Sequence, residues 1–419
     1  EFYTEAFLAD LEKLHIHHAD TIAPISTLIE DMGTMIQWLI DRDYAYLADD
    51  GSIYYRVAKF RKYGELAHLD MKGMISSVRI DNDEYEKDQV ADFALWKAYD
   101  PESDGPNFWE LKVRIPDEAN MSIQNGSNSS EDRAPQWAVY SNTASEEAEI
   151  WAWRTTFSIL KGRPGWHIEC SACNHHYFGE QIDIHMGGID NLFPHHQNEV
   201  AQTEAFTGKQ FSQYWMHGGH LLVDNKKMSK SAGNFYTLRD IVDSVIAKNE
   251  AIQVPRNNET GFLPTHEWQT QQEQLIYRGF RLMALQNQYR ENFNFTFERL
   301  DAAMNTIKWL DEMMKRLSRY IERQTPASEE RNAHGKMKFH DISREFRDNQ
   351  QYFMQAFIEK LEDAFDTVSA MTVVYEYQGY VNSGIDETLF SSEEAKSLVD
   401  LLRSWDEVLG ILDFSLLES

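Results

Sequence analysis

Cysteine is nearly missing from this sequence: 419 residues contain two, Cys170 and Cys173. Two thiols cannot staple a chain of this size, which excludes disulfide-built secreted scaffolds and points to a reducing compartment. Their close spacing directs attention to metal or redox chemistry instead. Long apolar runs are also missing. No window approaches the roughly 18 consecutive apolar residues of a membrane helix, and hydrophobic residues make up 42% of the chain. The stretch from Glu1 shows neither an initiator Met nor a basic region followed by an apolar run, so a cytoplasmic chain without a membrane partner is expected. Basic charge is scarce too, with 40 Lys and Arg against 68 Asp and Glu, a net charge of -28. Such a surface repels nucleic acid over most of its area, and a nucleic-acid partner would need a local basic site. Two clusters qualify, Asn225 to Lys230 and Arg331 to Lys338; the second reads equally well as solvated surface.

What is present suffices for two or three domains with their own cores. Phe7, Leu8, Leu11 and Leu14, then Leu28, Met32, Met35, Leu39 and Ile40, recur at helical spacing and predict two helices before residue 48 that pack on something apolar. From Gly51 to about Trp96 the pattern changes to short β-prone runs such as Ser52 to Val57, which predicts a small inserted β region. The polar run Asn125 to Ser130 reads as an exposed loop. Eight of the fifteen histidines fall between His167 and His220, among Gly, Trp and short apolar strands, and chemistry is concentrated there. After about Thr270, stripes such as Leu300, Met304, Ile307, Leu310, Met313 and Met314 predict a helical bundle.

Three motifs carry chemistry. Lys227-Met228-Ser229-Lys230-Ser231, followed by Gly233-Asn234, comes just after the apolar run Leu221-Leu222-Val223 and predicts a loop after a strand. Two ammonium groups three positions apart on a Gly-flanked loop can close over a polyphosphate and neutralise charge on departing pyrophosphate; the alternative is an ordinary basic loop. The second motif is Gly162 to Ala172, with Trp166 four residues before Cys170, and the third runs from Asp183 to Glu199. Pro194 suits a first helical turn, which would put His195 and Glu199 one turn apart on one face. Cys170, His195 and Glu199 are ligand types that zinc accepts. Alone, a histidine at a helix start caps or packs more often than it binds metal. Cys170 and Cys173 could form a C-x-x-C redox pair, although they lie among metal-type residues.

With Tyr214-Trp215-Met216-His217, these motifs closely resemble the second catalytic half of the cysteinyl-tRNA synthetases, in the same order and at nearly the same spacing. The resemblance extends to Asp92 to Lys97 and to Phe357 to Thr367, and covers most of the chain; residues 101–160 and about 246–270 match poorly and read as insertions. It implies an α/β fold, a Rossmann-like class I catalytic domain with a β-rich insertion, followed by an α-helical bundle. The expected domains are 1–50, the helical remainder of a first catalytic half; 51–160, the connective insertion; 161–245, the second half with the zinc site and lysine loop; 246–269, a linker; and 270–419, the bundle.

The implied activity is activation of L-cysteine by ATP, with Mg2+, and transfer to tRNA(Cys) by a monomer. Zinc held by Cys170, His195 and Glu199 would select the thiol, since thiolate binds zinc far better than an alcohol does, and no editing domain would then be needed. By resemblance Trp166 packs beside the bound cysteine, Gly188 and Asp190 hold the adenylate, and Lys227 and Lys230 act on ATP, Lys230 in direct phosphate contact. The family usually has Met where this chain has Cys173, which is therefore a core residue or a substitute ligand. The sequence fixes no role for His167 or for His217 to His220.

By the resemblance, the family's opening strand, the zinc-ligand cysteine and His-x-Gly-His loop that belong to that opening and cradle ATP, and its closing anticodon-reading module are expected to be missing from residues 1–419. His15-Ile16-His17-His18 resembles that loop only superficially, lacking the glycine for close phosphate approach. These 419 residues alone are expected to be inactive in adenylation, with a weak zinc site. Two rivals remain. One is the paralogous ligase that joins cysteine to an amino-sugar inositol in mycothiol synthesis, which typically has no acid at the position of Glu199. The other is a non-catalytic tRNA-binding remnant.

Overall fold

The computed structural model describes residues 2–69, 79–80, 91–115, 156–253, 266–324 and 342–417. The polar run 125–130 and the basic cluster 331–338 lie outside these residues, as do large parts of both expected insertions. The chain divides into two compact units, residues 21–217 and residues 1–20 with 218–419.

In the unit of residues 21–217, helix α2 (Ile29–Asp41) buries Met32, Met35, Ile36, Leu39 and Ile40, the i, i+3, i+4, i+7 stripe of an amphipathic helix. It packs on a six-stranded sheet of β1 (Ala45–Leu47), β2 (Ile53–Tyr55), β3 (Arg79–Ile80), β4 (Asp92–Ala98), β5 (Trp109–Ile115) and β6 (Thr156–Pro164). The order is β1-β2-β4-β6-β5 with β3 beside β4. All pairings are antiparallel except the short parallel β3–β4 contact. Gln37 ties the helix to the sheet: its Oε1 accepts from the Arg114 N–H at 2.6 Å and its Nε2 donates to the Arg114 carbonyl at 3.1 Å. After β6 come helix α3 (Trp166–Phe178), strand β7 (Ile182–Gly188), helix α4 (Gln197–Thr207) and strand β8 (Ser212–Gly218), with β7 paired to β8.

In the other unit, α1 (Phe2–Lys13) precedes strands β9 (Leu221–Val223), β10 (Lys226–Lys227) and β11 (Phe293–Phe295), in the order β10-β9-β11. The helices are α5 (Leu238–Gln253), α6 (His266–Leu285), α7 (Phe297–Gln324), α8 (Arg344–Glu362), α9 (Thr367–Asp386) and α10 (Ser392–Leu409). Their apolar stripes form one core that includes Leu300, Met304, Ile307, Leu310 and Trp405. The ends are written into the sequence. Ser391 and Glu394 form a capping box on α10, and Gly410, with φ of 59°, terminates it in the left-handed region. The fold class is thus α/β followed by a helical bundle, as the sequence reading expected. One expectation fails: α1 buries no residue, and Phe7 is 58% exposed. Only the C-terminal end of that stripe is used, where Leu14 packs against the helical core and its carbonyl accepts from Arg281 Nη1 at 2.8 Å.

Candidate metal centre and its surroundings

Two glycines seat helix α3 against the sheet. A Cβ on Gly162 or Gly165 would collide with the carbonyl of Lys97 or Ala94, respectively, and the Gly165 N–H donates to the Leu95 carbonyl at 2.9 Å. With that close approach fixed, α3 turns His167, Ile168, Ser171 and Ala172 inward and leaves Trp166 and Cys170, one turn apart, half-buried.

Helix α4 is reached through a kinked segment, Leu192–His196, in which Phe193 has extended dihedrals and the Phe193–Pro194 peptide is cis. The helix then buries an unusual set of polar residues: Gln197, Asn198, Glu199, Gln202 and Thr203. Some are satisfied. Tyr63 donates its hydroxyl to Asn198 Oδ1, and Ser171 donates to Gln202 Oε1 at 2.6 Å.

Glu199 is the centre of the cluster. Its side chain is fully buried, His195 Nε2 lies 2.7 Å from Oε1, and His185 Nε2 lies 3.0 Å from Oε2. Although both nitrogens are near, neither carboxylate oxygen has an aligned hydrogen-bond donor. Cys170, His195 and Glu199 each bring a ligand atom to within 4.8 Å of the others. A tetrahedral zinc with bonds of about 2.0–2.3 Å requires ligand separations of about 3.3–3.8 Å, which small side-chain adjustments would give. A donor set of thiol, imidazole and carboxylate around an unsatisfied buried oxygen fits that ion. Trp166 stacks on the His195 ring at 4.3 Å and 23°, so it covers one side of the ligand group. Cys173, a free thiol, packs with the apolar core and belongs to neither converging group among the described residues.

The electrostatics follow from burial. Burial raises the Glu199 pKa, but the close His185 and His195 rings overrule it and hold the carboxyl low, at about 2. Burial, reinforced by the charges of Glu199 and Glu169, pushes the Cys170 thiol far up, so without a cation it stays protonated. A cation among these three groups reverses that preference. Burial also lowers His167 and His196 to about 3, so both rings are neutral at physiological pH.

A second group, His185, His196 and Glu199, also converges within 4.8 Å, and His196 Nδ1 lies 2.8 Å from His217 Nε2. Sequence reasoning quoted His185 and His196 without giving either a role. No signal local to His185 pairs it with Glu199. Gly187 has no room for a Cβ because His196 fills that space. At Gly188 the neighbour is the Asp190 carboxylate, on an exposed side chain in the 3-10 turn Ile189–Asn191.

The lysine motif belongs to the other unit and begins on a strand rather than in a loop. Asp224 and Asn225, with φ of 50° and 60°, form the two-residue turn between β9 and β10, as the primed hairpin turns require. This pairs Lys227 with Leu222. Lys230 follows in the turn that ends at Gly233, where the Gly233 N–H donates to the Lys230 carbonyl at 3.2 Å. Asn234 bridges the turn, accepting from the Ser229 N–H at 3.0 Å and donating to the Lys227 carbonyl at 3.2 Å. Both lysines are exposed, and neither forms a salt bridge among the described residues. His15, His17 and His18 line a cleft of about 690 Å³ with Arg403, Asp406 and Glu407, within the helical unit and apart from any catalytic motif.

Comparison with known proteins agrees with this picture. The family described as the tRNA synthetases class I (C) catalytic domain matches residues 1–111 and 108–254, and the DALR domain matches residues 356–413, within α8 to α10. The cysteine--tRNA ligase of Chlamydia trachomatis is 34% identical over 99% of this chain and 70% of its own length. Those of Chlamydia muridarum and Protochlamydia amoebophila are 35% and 33% identical, over 99% and 98% of this chain and 70% and 67% of their own lengths. The match spans both the catalytic and the helical parts, and on that ground the chain belongs to the cysteine--tRNA ligase family of class I aminoacyl-tRNA synthetases.

Proposed function

We propose that the protein activates L-cysteine with ATP and transfers it to tRNA(Cys), and that Cys170, His195 and Glu199 hold a zinc ion that selects the thiol. The observation that carries this reading is the convergence of those three ligand types around a fully buried carboxylate whose oxygens lack aligned donors. Bound there, zinc supplies a soft Lewis-acid centre that a thiolate sulfur binds far better than an alcohol does.

The protein's own residues do the rest. Trp166, stacked on His195, forms a wall of the amino-acid site and excludes water beside the sulfur. Gly188 leaves the backbone free of a Cβ, and the exposed Asp190 carboxylate accepts from ribose hydroxyls. A cysteine carboxylate oxygen attacks the α-phosphorus of ATP, with its Mg2+, and the bond to pyrophosphate breaks. Lys227 and Lys230 neutralise the charge that accumulates on that leaving group. A ribose hydroxyl at the 3′ end of the tRNA then takes the acyl group and AMP departs. The protein acts as a cytoplasmic monomer in this reading.

The test is zinc content together with calorimetric binding of cysteine and serine to the 419-residue chain. Stoichiometric zinc and cysteine binding at least about tenfold tighter than serine binding are expected, both abolished by Cys170→Ala. Equal affinity for the two amino acids in zinc-loaded protein would overturn the proposal. These residues alone are expected to give no cysteine-dependent pyrophosphate exchange.

A further inference from the structure

We infer that His167 is a positioning residue for the metal centre, and that the tautomers of His167 and His195 change together when metal binds. This rests on the ligand assignment proposed above and deepens it. His167 Nδ1 lies 2.9 Å from His195 Nδ1, and both rings are buried. Two neutral imidazoles at that distance need one proton between them, so one ring donates and the other accepts. The opposite nitrogen of His195, Nε2, faces Glu199 Oε1 at 2.7 Å.

Only two arrangements satisfy both contacts. With a metal on His195 Nε2, that atom is a lone pair and His195 Nδ1 carries the proton and donates to His167 Nδ1; His167 stays neutral by carrying a proton on Nε2, which balances the one displaced from His195 Nε2. Without metal, the proton of His195 sits on Nε2, the atom 2.7 Å from Glu199 Oε1, His195 Nδ1 accepts, and the proton between the rings sits on His167 Nδ1. In either state His167 Nε2 is left buried without a hydrogen-bond partner. That cost marks the ring as held for its Nδ1. The ring cannot turn to relieve it, because it packs edge-on against Phe93 at 5.4 Å and 88° and lies against Trp166 at 5.2 Å. A partner that fixes the tautomer and orientation of a ligating histidine is worth about 10- to 100-fold in metal affinity.

The experiment uses the 419-residue chain and three variants. His167→Phe keeps an aromatic ring but removes the acceptor; His167→Asn restores an amide oxygen near the position of Nδ1; Cys170→Ala is the ligand control. Zinc affinity is measured by chelator competition, and ring nitrogen shifts of His195 and His167 by NMR with and without zinc. Expected are a loss of about 10- to 100-fold in His167→Phe, recovery to within about threefold in His167→Asn, and transfer of the shared proton from His167 Nδ1 to His195 Nδ1 on loading. If His167→Phe does not fold, His167→Asn and the wild-type spectra decide. Unchanged affinity in His167→Phe, or a His195 that keeps its Nε2 proton in loaded protein, overturns the inference while leaving the ligand assignment intact. Zinc uptake that survives Cys170→Ala overturns the assignment, and the metal-free spectrum, with the proton on His167 Nδ1 or not, then decides the pairing alone.

Discussion

The two units treat buried polarity in opposite ways. In the helical unit the buried charges are paired, although Gln350 Nε2 and Trp405 Nε1 have no partner: Arg278, 5% exposed, bonds both oxygens of Asp311 at 2.5 and 3.3 Å and donates to the Ile411 carbonyl, and Glu394 is satisfied by Ser343 and Ser391. Around α3 and α4 a set of buried polar groups is not. His167 Nε2, His185 Nε2, Gln197 Nε2, Gln202 Nε2, Thr203 Oγ1 and both oxygens of Glu199 are buried without aligned partners. Each such atom costs about 1–3 kcal/mol if left unsatisfied, so a fold tolerates a cluster of them where something other than stability is served. In the first region polar groups lock helices; in the second they surround the proposed metal site.

The largest test of that contrast is Glu199→Leu. Metal uptake should fall by more than about 100-fold, while the metal-free protein unfolds at the same or a higher urea concentration, because a buried charge gives way to apolar volume. Its counterpart is Arg278→Met, which strands Asp311 and should lower stability by about 3 kcal/mol. If Glu199→Leu destabilises the metal-free chain as Arg278→Met does, the contrast is broken.

Acid should separate the units by a smaller effect. His167 and His196 stay neutral down to about 3 in the folded state, whereas unfolded histidine titrates near 6.5. The unfolded chain therefore binds more protons between those values, and stability falls as pH drops below about 6.5, by up to about 1.4 kcal/mol per pH unit for each ring. The stabilisation from Glu199, whose folded pKa is depressed, is lost further down, from about 4.5 toward 2. The described histidines of the helical unit are exposed. Hydrogen exchange on chelator-treated protein should therefore show residues 21–217 loosening first as the solution is acidified. Smallest is Ser391→Ala, which removes one side of a capping box and should cost about 1 kcal/mol by urea denaturation with zinc affinity unchanged.

Much of the candidate site was legible because it is local. The four-residue spacing of His195 and Glu199, and of Trp166 and Cys170, needs only helix periodicity to become proximity. What was not legible depends on distant partners. Nothing near His185 in sequence says that it faces Glu199; that follows from how β7 lies against α4. The β5–β6 register, with Trp109 opposite Gly162 and Ile115 opposite Thr156, joins strands about forty residues apart in the sequence. The stripe on α1 misled because periodicity reports a face without saying whether anything covers it. Lys227 was placed in a loop because the short β10 strand is specified by its turn, where Asp224 and Asn225 must both take positive φ, rather than by an apolar run.

That turn makes the two lysines mechanically unequal. Lys227 has its backbone pinned into a ladder two residues beyond a rigid reversal, and Met228 beside it packs against the helical core; its ammonium can move only as far as its own side chain allows. Lys230 lies past that anchorage, on a segment fastened at both ends by the single amide of Asn234. The travel available to this loop under the proposed function therefore belongs to residues 229–234: releasing the Asn234 side chain undoes its tie to Lys227 and Ser229, while the Gly233–Lys230 bond keeps the turn itself together.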